Sequence, residues 1–203
     1  MPKRGKSRQY ALEWPQVQKL LSSLSDLEEC FLIKGQIFLG LRVSELAHVN
    51  ANWLKADGNS LQVPSVQKCD CAVCQNHPKH PREWMPKTKA GARVLPLPNS
   101  AKNDILEYLR QRPNGLEISR VTIWEKTKAI LKRAGIRTKG LAGNVAYPHA
   151  LRATFGSLLA ESGIDARALA YAFGHGSTKV ADEYVEVARA RKSADKQIRE
   201  IFG

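Results

Sequence analysis

Apolar positions along this chain recur mostly with the period of a helix, and only twice with that of a strand. Behind Pro15, a natural first helical residue, Val17, Leu20, Leu21 and Leu24 share one face. Phe31, Ile33, Ile37 and Phe38 give a second helix, Leu27 to Leu39, its buried stripe, and Gly40 ends it. Residues 42–47 open a short third helix, with Ser44 as its cap and Val43 and Leu46 turned inward. Helical spacing returns with Ile105, Leu106 and Leu109, between a cap at Asn99 or Ser100 and the breaker Pro113-Asn114-Gly115. Ser119 caps the next helix, where Val121, Ile123, Trp124, Ala129, Ile130 and Leu131 alternate with Lys and Arg as far as Gly135. A loop from Arg137 to Tyr147 leads to Pro148 and a helix striped by Leu151, Phe155, Leu158 and Leu159. Gly163 ends it, Asp165 caps a shorter helix to Phe173, and Ser177 or Thr178 caps one carrying Val180, Tyr184, Val187 and Ala188. A final helix-like stretch carries Arg189, Arg191, Lys192, Lys196 and Arg199.

The two strand-like runs are Ser60-Leu61-Gln62-Val63, after the turn Asp57-Gly58, and Ala92-Arg93-Val94-Leu95-Pro96-Leu97. The pattern therefore predicts a mostly α fold with one small antiparallel β-sheet. Between the strands, residues 64–88 show neither period and are rich in Cys, His, Pro and Lys. Structureless stretches of that length inside compact domains are functional, disordered or stapled. The expected organisation is a basic arm over 1–13, one domain over 14–188 and a basic tail over 189–203.

Charge narrows the function. The 203 residues hold 32 Lys+Arg against 19 Asp+Glu, a formal +13, which favours a polyanionic partner and above all nucleic acid. No apolar run approaches the roughly 20 residues of a membrane helix, and the basic start lacks an apolar segment behind it. A cytoplasmic, reducing setting is expected, so the cysteines are read as thiols or metal ligands. Cys69, Cys71 and Cys74, with His77 and His80, can supply four tetrahedral ligands for a structural zinc ion.

His149 and Arg152 lie three apart on one helical face, a titratable ring beside a fixed cation, and a phosphate is their natural ligand. Five motifs then stand in order: Gly40-Leu41-Arg42-Val43-Ser44-Glu45-Leu46; Lys89-Ala90-Gly91-Ala92-Arg93-Val94-Leu95-Pro96-Leu97; His149-Ala150-Leu151-Arg152-Ala153-Thr154-Phe155; Phe173-Gly174-His175-Gly176-Ser177; and Tyr184. Together they resemble the catalytic domain of the tyrosine recombinase (phage integrase) family, over Trp14 to Val187. The resemblance implies site-specific cutting and rejoining of DNA through a 3′-phosphotyrosine, with no cofactor in the chemistry. Arg42 and Arg152 suit phosphate oxygens because guanidinium forks bind them bidentately. Tyr184 is then the nucleophile, His149 the proton exchanger, Lys89 the acid for the leaving 5′-oxygen, and His175 a hydrogen-bond partner of the phosphate. Glu45 is placed to orient Arg42, and Lys87 competes with Lys89 for the acid's role.

Two features depart from the family pattern: the Cys/His insert, and the absence of a separate core-binding domain ahead of Trp14. Implied partners are double-stranded DNA and further copies of the chain, as a tetramer on two paired sites, in a prokaryotic or viral setting. Type IB topoisomerase-like relaxation and a non-catalytic DNA-binding relative are the alternative functions. A zinc nuclease lacks an evident open metal site.

Overall fold

Helices dominate the computed structural model, which describes residues 10–136 and 149–202. In chain order they are α1 (Trp14–Ser22), α2 (Leu27–Ile37), α3 (Val43–Leu46), α4 (Ala72–Gln75), α5 (Asn99–Gln111), α6 (Arg120–Arg133), α7 (His149–Glu161), α8 (Ala166–Phe173) and α9 (Lys179–Phe202). The strands are β1 (Ser60–Val63), β2 (Gln67–Lys68), β3 (Glu83–Trp84) and β4 (Arg93–Pro96).

The apolar stripes bury as their spacing predicts, and they do so in two clusters. The larger one gathers Phe31, Ile33 and Ile37 of α2, Ile105 and Leu109 of α5, Ile123 and Ile130 of α6, and Leu61 and Leu95 of the strands. Each such side chain contributes about 1.5–3 kcal/mol on burial. The smaller one holds Ala153 and Phe155 of α7, Leu169 and Phe173 of α8, and Ala181, Tyr184 and Val185 of α9. Helix α7 separates them: Leu151 faces the first cluster and Phe155 the second, and every residue from Ala150 to Gly156 is buried. A helix covered on all sides holds its polar side chains rigidly, and Arg152 is one of them.

Strands β1 and β4 pair antiparallel, from Ser60 opposite Pro96 to Val63 opposite Arg93. Leu61 and Val63 turn inward, as do Arg93 and Leu95, while Gln62 and Val94 face out. Where one small sheet was expected, the described residues hold two. The insert forms its own ladder, Gln67 opposite Trp84 and Lys68 opposite Glu83, too short for a period of two to show. It is fixed by Trp84, which packs on Trp53 with ring centroids 5.2 Å apart.

Caps were partly misplaced. Ser119 and Asp165 cap as expected, accepting from Thr122 N and from Arg167 N and Ala168 N. Ser44 instead lies inside α3, and Asn99 and Ser100 lie inside α5, whose N-cap is Pro98. The basic tail is a continuation of α9, which runs unbroken to Phe202. Part of the arm is anchored: the Leu12 amide donates to Thr154 Oγ1 at 2.8 Å, on the buried side of α7. The loop expected from Arg137 to Tyr147, the helix start expected at Pro148, residues 1–9 and Gly203 lie outside the described residues. No helix among the described residues is long and apolar enough to cross a membrane.

Candidate active site

The seam between the two clusters is where the family motifs meet. Arg42 stands at the N-cap of α3, and the Glu45 carboxylate, one turn on, accepts both its amide (2.8 Å) and its guanidinium Nη1 (2.9 Å). Its Nη2 donates to Gly174 O at 3.1 Å. Arg93, reaching in from β4, grips the same carboxylate with Nη1 and Nη2, both at 3.0 Å. It also donates to Ala172 O (2.9 Å) and Gly91 O (2.8 Å). The side chains of Glu45 and Arg93 are wholly buried. Burial alone would raise the Glu45 pKa; the hydrogen bond and charge of Arg93, then Arg152 and the Arg42 amide, outweigh it and hold it below the carboxylate range.

Arg152 arrives from the α7 side. Its guanidinium donates to the carbonyls of Gly40 and Phe173 and lies over the Phe173 ring, 4.8 Å from the centroid. Burial, then the neighbouring Arg42 cation, lower its pKa to about 9, with Glu45 opposing, so it remains a cation at neutral pH. His175, just past the left-handed C-cap Gly174, stacks on Phe173 at 5.0 Å. Its buried Nδ1 has no hydrogen-bond partner among the described residues. Burial and the cations of Arg152, Arg42 and Arg93 push its pKa down to about 4, against a raising effect of Glu45. Tyr184 of α9 packs on Phe173 at 5.5 Å and lies against α7 at Gly156. His149 opens α7 at the surface; desolvation of its ring, then Arg152 and Lys87, hold its pKa below the ordinary value.

Lys89 begins a 3-10 turn, Lys89–Gly91, and is exposed. That turn is seated on the His175 turn: Thr88 Oγ1 donates to Gly174 O at 3.1 Å. The fit demands glycine at 174, where φ is +62° and a Cβ would lie 2.9 Å from Gly91 Cα and 3.1 Å from Ala90 O. The structure thus brings Arg42, Arg152, His175 and Tyr184 to one seam, with the Lys89 turn and His149 at its edge. Sequence reasoning gave Arg93 no role; its place in the second motif, as the one charged residue facing inward on a strand, was the available signal.

The insert's thiols are gathered, though not as expected. Sγ of Cys69, Cys71 and Cys74 and a ring nitrogen of His48 all lie within 4.8 Å of one another, a group able to hold a metal ion. His77 and His80 are not in this group. His77 is exposed and His80 half-buried; their rings stack at 5.7 Å, and His80 Nδ1 lies 3.9 Å from Glu83. They follow α4, whereas His48 follows α3, too far from the cysteines in sequence for proximity to suggest it.

Known proteins similar to this chain are tyrosine recombinases and an integrase. The tyrosine recombinase XerD of Listeria innocua is 28% identical over 94% of this chain and 62% of its own length. The tyrosine recombinase XerA of Thermococcus kodakarensis is 27% identical over 96% of this chain and 65% of its own length. The chain thus spans somewhat under two thirds of these relatives. In fold it matches a XerA recombinase crystal structure with a TM-score of 0.67 at 18% identity, covering 92% of this chain and 64% of that one. It also matches the Tn1549 transposon integrase in complex with a circular-intermediate DNA, at TM-score 0.65 and 20% identity, over 91% of this chain and 65% of that one. The phage integrase family model matches residues 11–191, nearly the whole chain, and the chain belongs to that family.

Proposed function

We propose that this chain is the catalytic part of a site-specific DNA recombinase that cuts and rejoins strands through a 3′-phosphotyrosine intermediate. The observation that carries the reading is the convergence of Arg42, Arg152 and the unpartnered Nδ1 of His175 beside Tyr184. Three donors that face one seam, two of them permanent cations, suit the non-bridging oxygens of a phosphodiester. Tyr184 Oη attacks the phosphorus, the bond to the 5′-oxygen breaks, and phosphotyrosine replaces the phosphodiester. The phenolic proton passes to His149, whose lowered pKa leaves it neutral and able to accept. Lys89 donates the proton that the departing 5′-oxygen needs. Reversal with another strand's 5′-hydroxyl restores the backbone with no external energy. None of these steps uses a metal ion; a structural zinc in the insert would stand apart from them.

The partner is duplex DNA, bound largely through phosphates given the charge of +13, so affinity falls steeply with salt. The basic arm and the basic end of α9 extend that contact, and exchange between two sites calls for a tetramer. The test is a nicked suicide substrate, which traps the covalent protein–DNA adduct. Tyr184→Phe keeps the ring against Phe173 and removes only the nucleophile. It should bind DNA and form no adduct; a variant that still forms the adduct refutes the assignment.

A further inference from the structure

We propose that His48, Cys69, Cys71 and Cys74 form a closed tetrahedral zinc site that clamps the insert onto the back of the Arg42 helix. The inference rests on the geometry of the insert and is independent of the recombination chemistry. The four ligand atoms already lie within 4.8 Å of one another. For Zn–S near 2.3 Å and Zn–N near 2.05 Å, a tetrahedron has S···N edges of about 3.6 Å and S···S edges of about 3.8 Å. His48 Nε2 lies 3.5 Å from Cys71 Sγ and 3.4 Å from Cys74 Sγ.

The surroundings are those of a ligand site as well. His48 Nδ1 is 2.6 Å from Ser44 O, a carbonyl that can only accept, so the proton is on Nδ1 and the Nε2 lone pair faces the sulfurs. The same carbonyl fixes the ring's orientation, as a ligating histidine requires. Backbone amides of Cys74 and Val73 point at the Cys71 sulfur, and that of Cys71 at the Cys69 sulfur. All four cysteines of the chain are free thiols. Three soft thiolates and one imidazole, with no carboxylate in the group, select zinc over magnesium or calcium. On binding, Zn²⁺ displaces three thiol protons to solvent, and the complex carries one net negative charge.

The clamp joins parts of the chain that are distant in sequence. Cys69 and Cys71 follow β2, Cys74 lies on α4, and His48 immediately follows α3, six residues beyond Arg42. Trp84 of β3 stacks on the His48 ring at 5.3 Å, and Gln67 of β2 donates to His48 O at 2.9 Å. Five residues beyond Trp84 comes Lys89, so a filled site holds the root of the lysine-bearing segment while Thr88 holds its tip.

Elemental analysis of the purified full-length chain, expressed without a histidine tag and reconstituted with zinc, should give about one zinc per chain. Cobalt(II) in its place should give thiolate charge-transfer bands and intense tetrahedral d–d absorption. His48→Ala should weaken zinc retention against a chromophoric chelator by at least about tenfold. His48→Cys, which restores four ligands, should recover it, and the double variant His77→Ala/His80→Ala should bind as the parent does. Chelation should speed proteolysis within residues 64–88. Less than half an equivalent of zinc after reconstitution, zinc held equally well by His48→Ala, or zinc lost in the His77/His80 variant would each overturn the proposal. Tyr184→Phe should hold its zinc, so a failed adduct assay and a failed zinc assay are read separately.

Discussion

Glu45→Gln isolates the buried charge on which both Arg42 and Arg93 depend. The Glu45 carboxylate, with no exposed side-chain surface, accepts four hydrogen bonds at 2.8–3.0 Å, all from these two arginines. Glutamine keeps the shape but turns one acceptor into a donor facing guanidinium N–H groups, and leaves Arg93 buried without a counter-ion. Removing one partner of such a pair costs about 3–5 kcal/mol. At about 2–4 °C per kcal/mol for a chain of this size, the melting temperature should fall by roughly 6–20 °C. The pH dependence has a definite sign. The folded pKa of Glu45 lies below the unfolded value of about 4.3, so its contribution is full above that value and is lost as pH falls through the folded pKa. Urea unfolding from pH 7 down to pH 3 should show this acid-side loss in the parent and a flatter profile in Glu45→Gln. A variant within about 1 kcal/mol of the parent at pH 7, or one that keeps the parent's acid slope, refutes the reasoning.

Two further outcomes follow from the same seam. His175 should titrate near pH 4 in free protein by NMR and move upward in the Tyr184→Phe–DNA complex, because a phosphate at Nδ1 favours the imidazolium; an unchanged value would place the phosphate elsewhere. Gly174→Ala forces a left-handed backbone on alanine and pushes its Cβ into Gly91 and Ala90, displacing the Lys89 turn. Adduct formation should slow by about 100-fold, the scale of a 1 Å misplacement, with duplex binding retained; adduct formation at the parental rate would show that the turn's seat does not matter.

Much of this was legible in the chain because the signals were local and periodic. The stripes of α2, α5 and α6 bury where their spacing places them, and Gly174 stops α8 with positive φ; α2 ends at Ile37, with Phe38 as its cap, before Gly40 is reached. The site was legible through ordered motifs, each carried by a helix start or a tight turn. What escaped was long-range. Arg93 meets Glu45 across 48 residues, and His48 meets Cys71 and Cys74 across 23 and 26. His77 and His80 are near the cysteines in sequence, yet the thiols gather with His48 and not with them. The 3-10 turn at Lys89 was likewise hidden, since three residues give no period to read.

The arginines of this seam are held largely by main-chain oxygens. Arg152 is anchored on Gly40 and Phe173, Arg42 on Gly174, and Arg93 on Ala172 and Gly91. A carbonyl is present whatever the side chain, so such anchors survive substitution at the residues that provide them, provided the backbone keeps its path. The exceptions are Glu45, whose carboxylate holds Arg42 and Arg93, and positions that fix the path, such as Gly40 and Gly174. A lineage can then rewrite most of the letters around its cations while holding them in place. That is a physical route by which a recombinase structure only 18% identical can share this fold. It also means that the arrangement is inherited as a backbone course more than as a set of side-chain pairings.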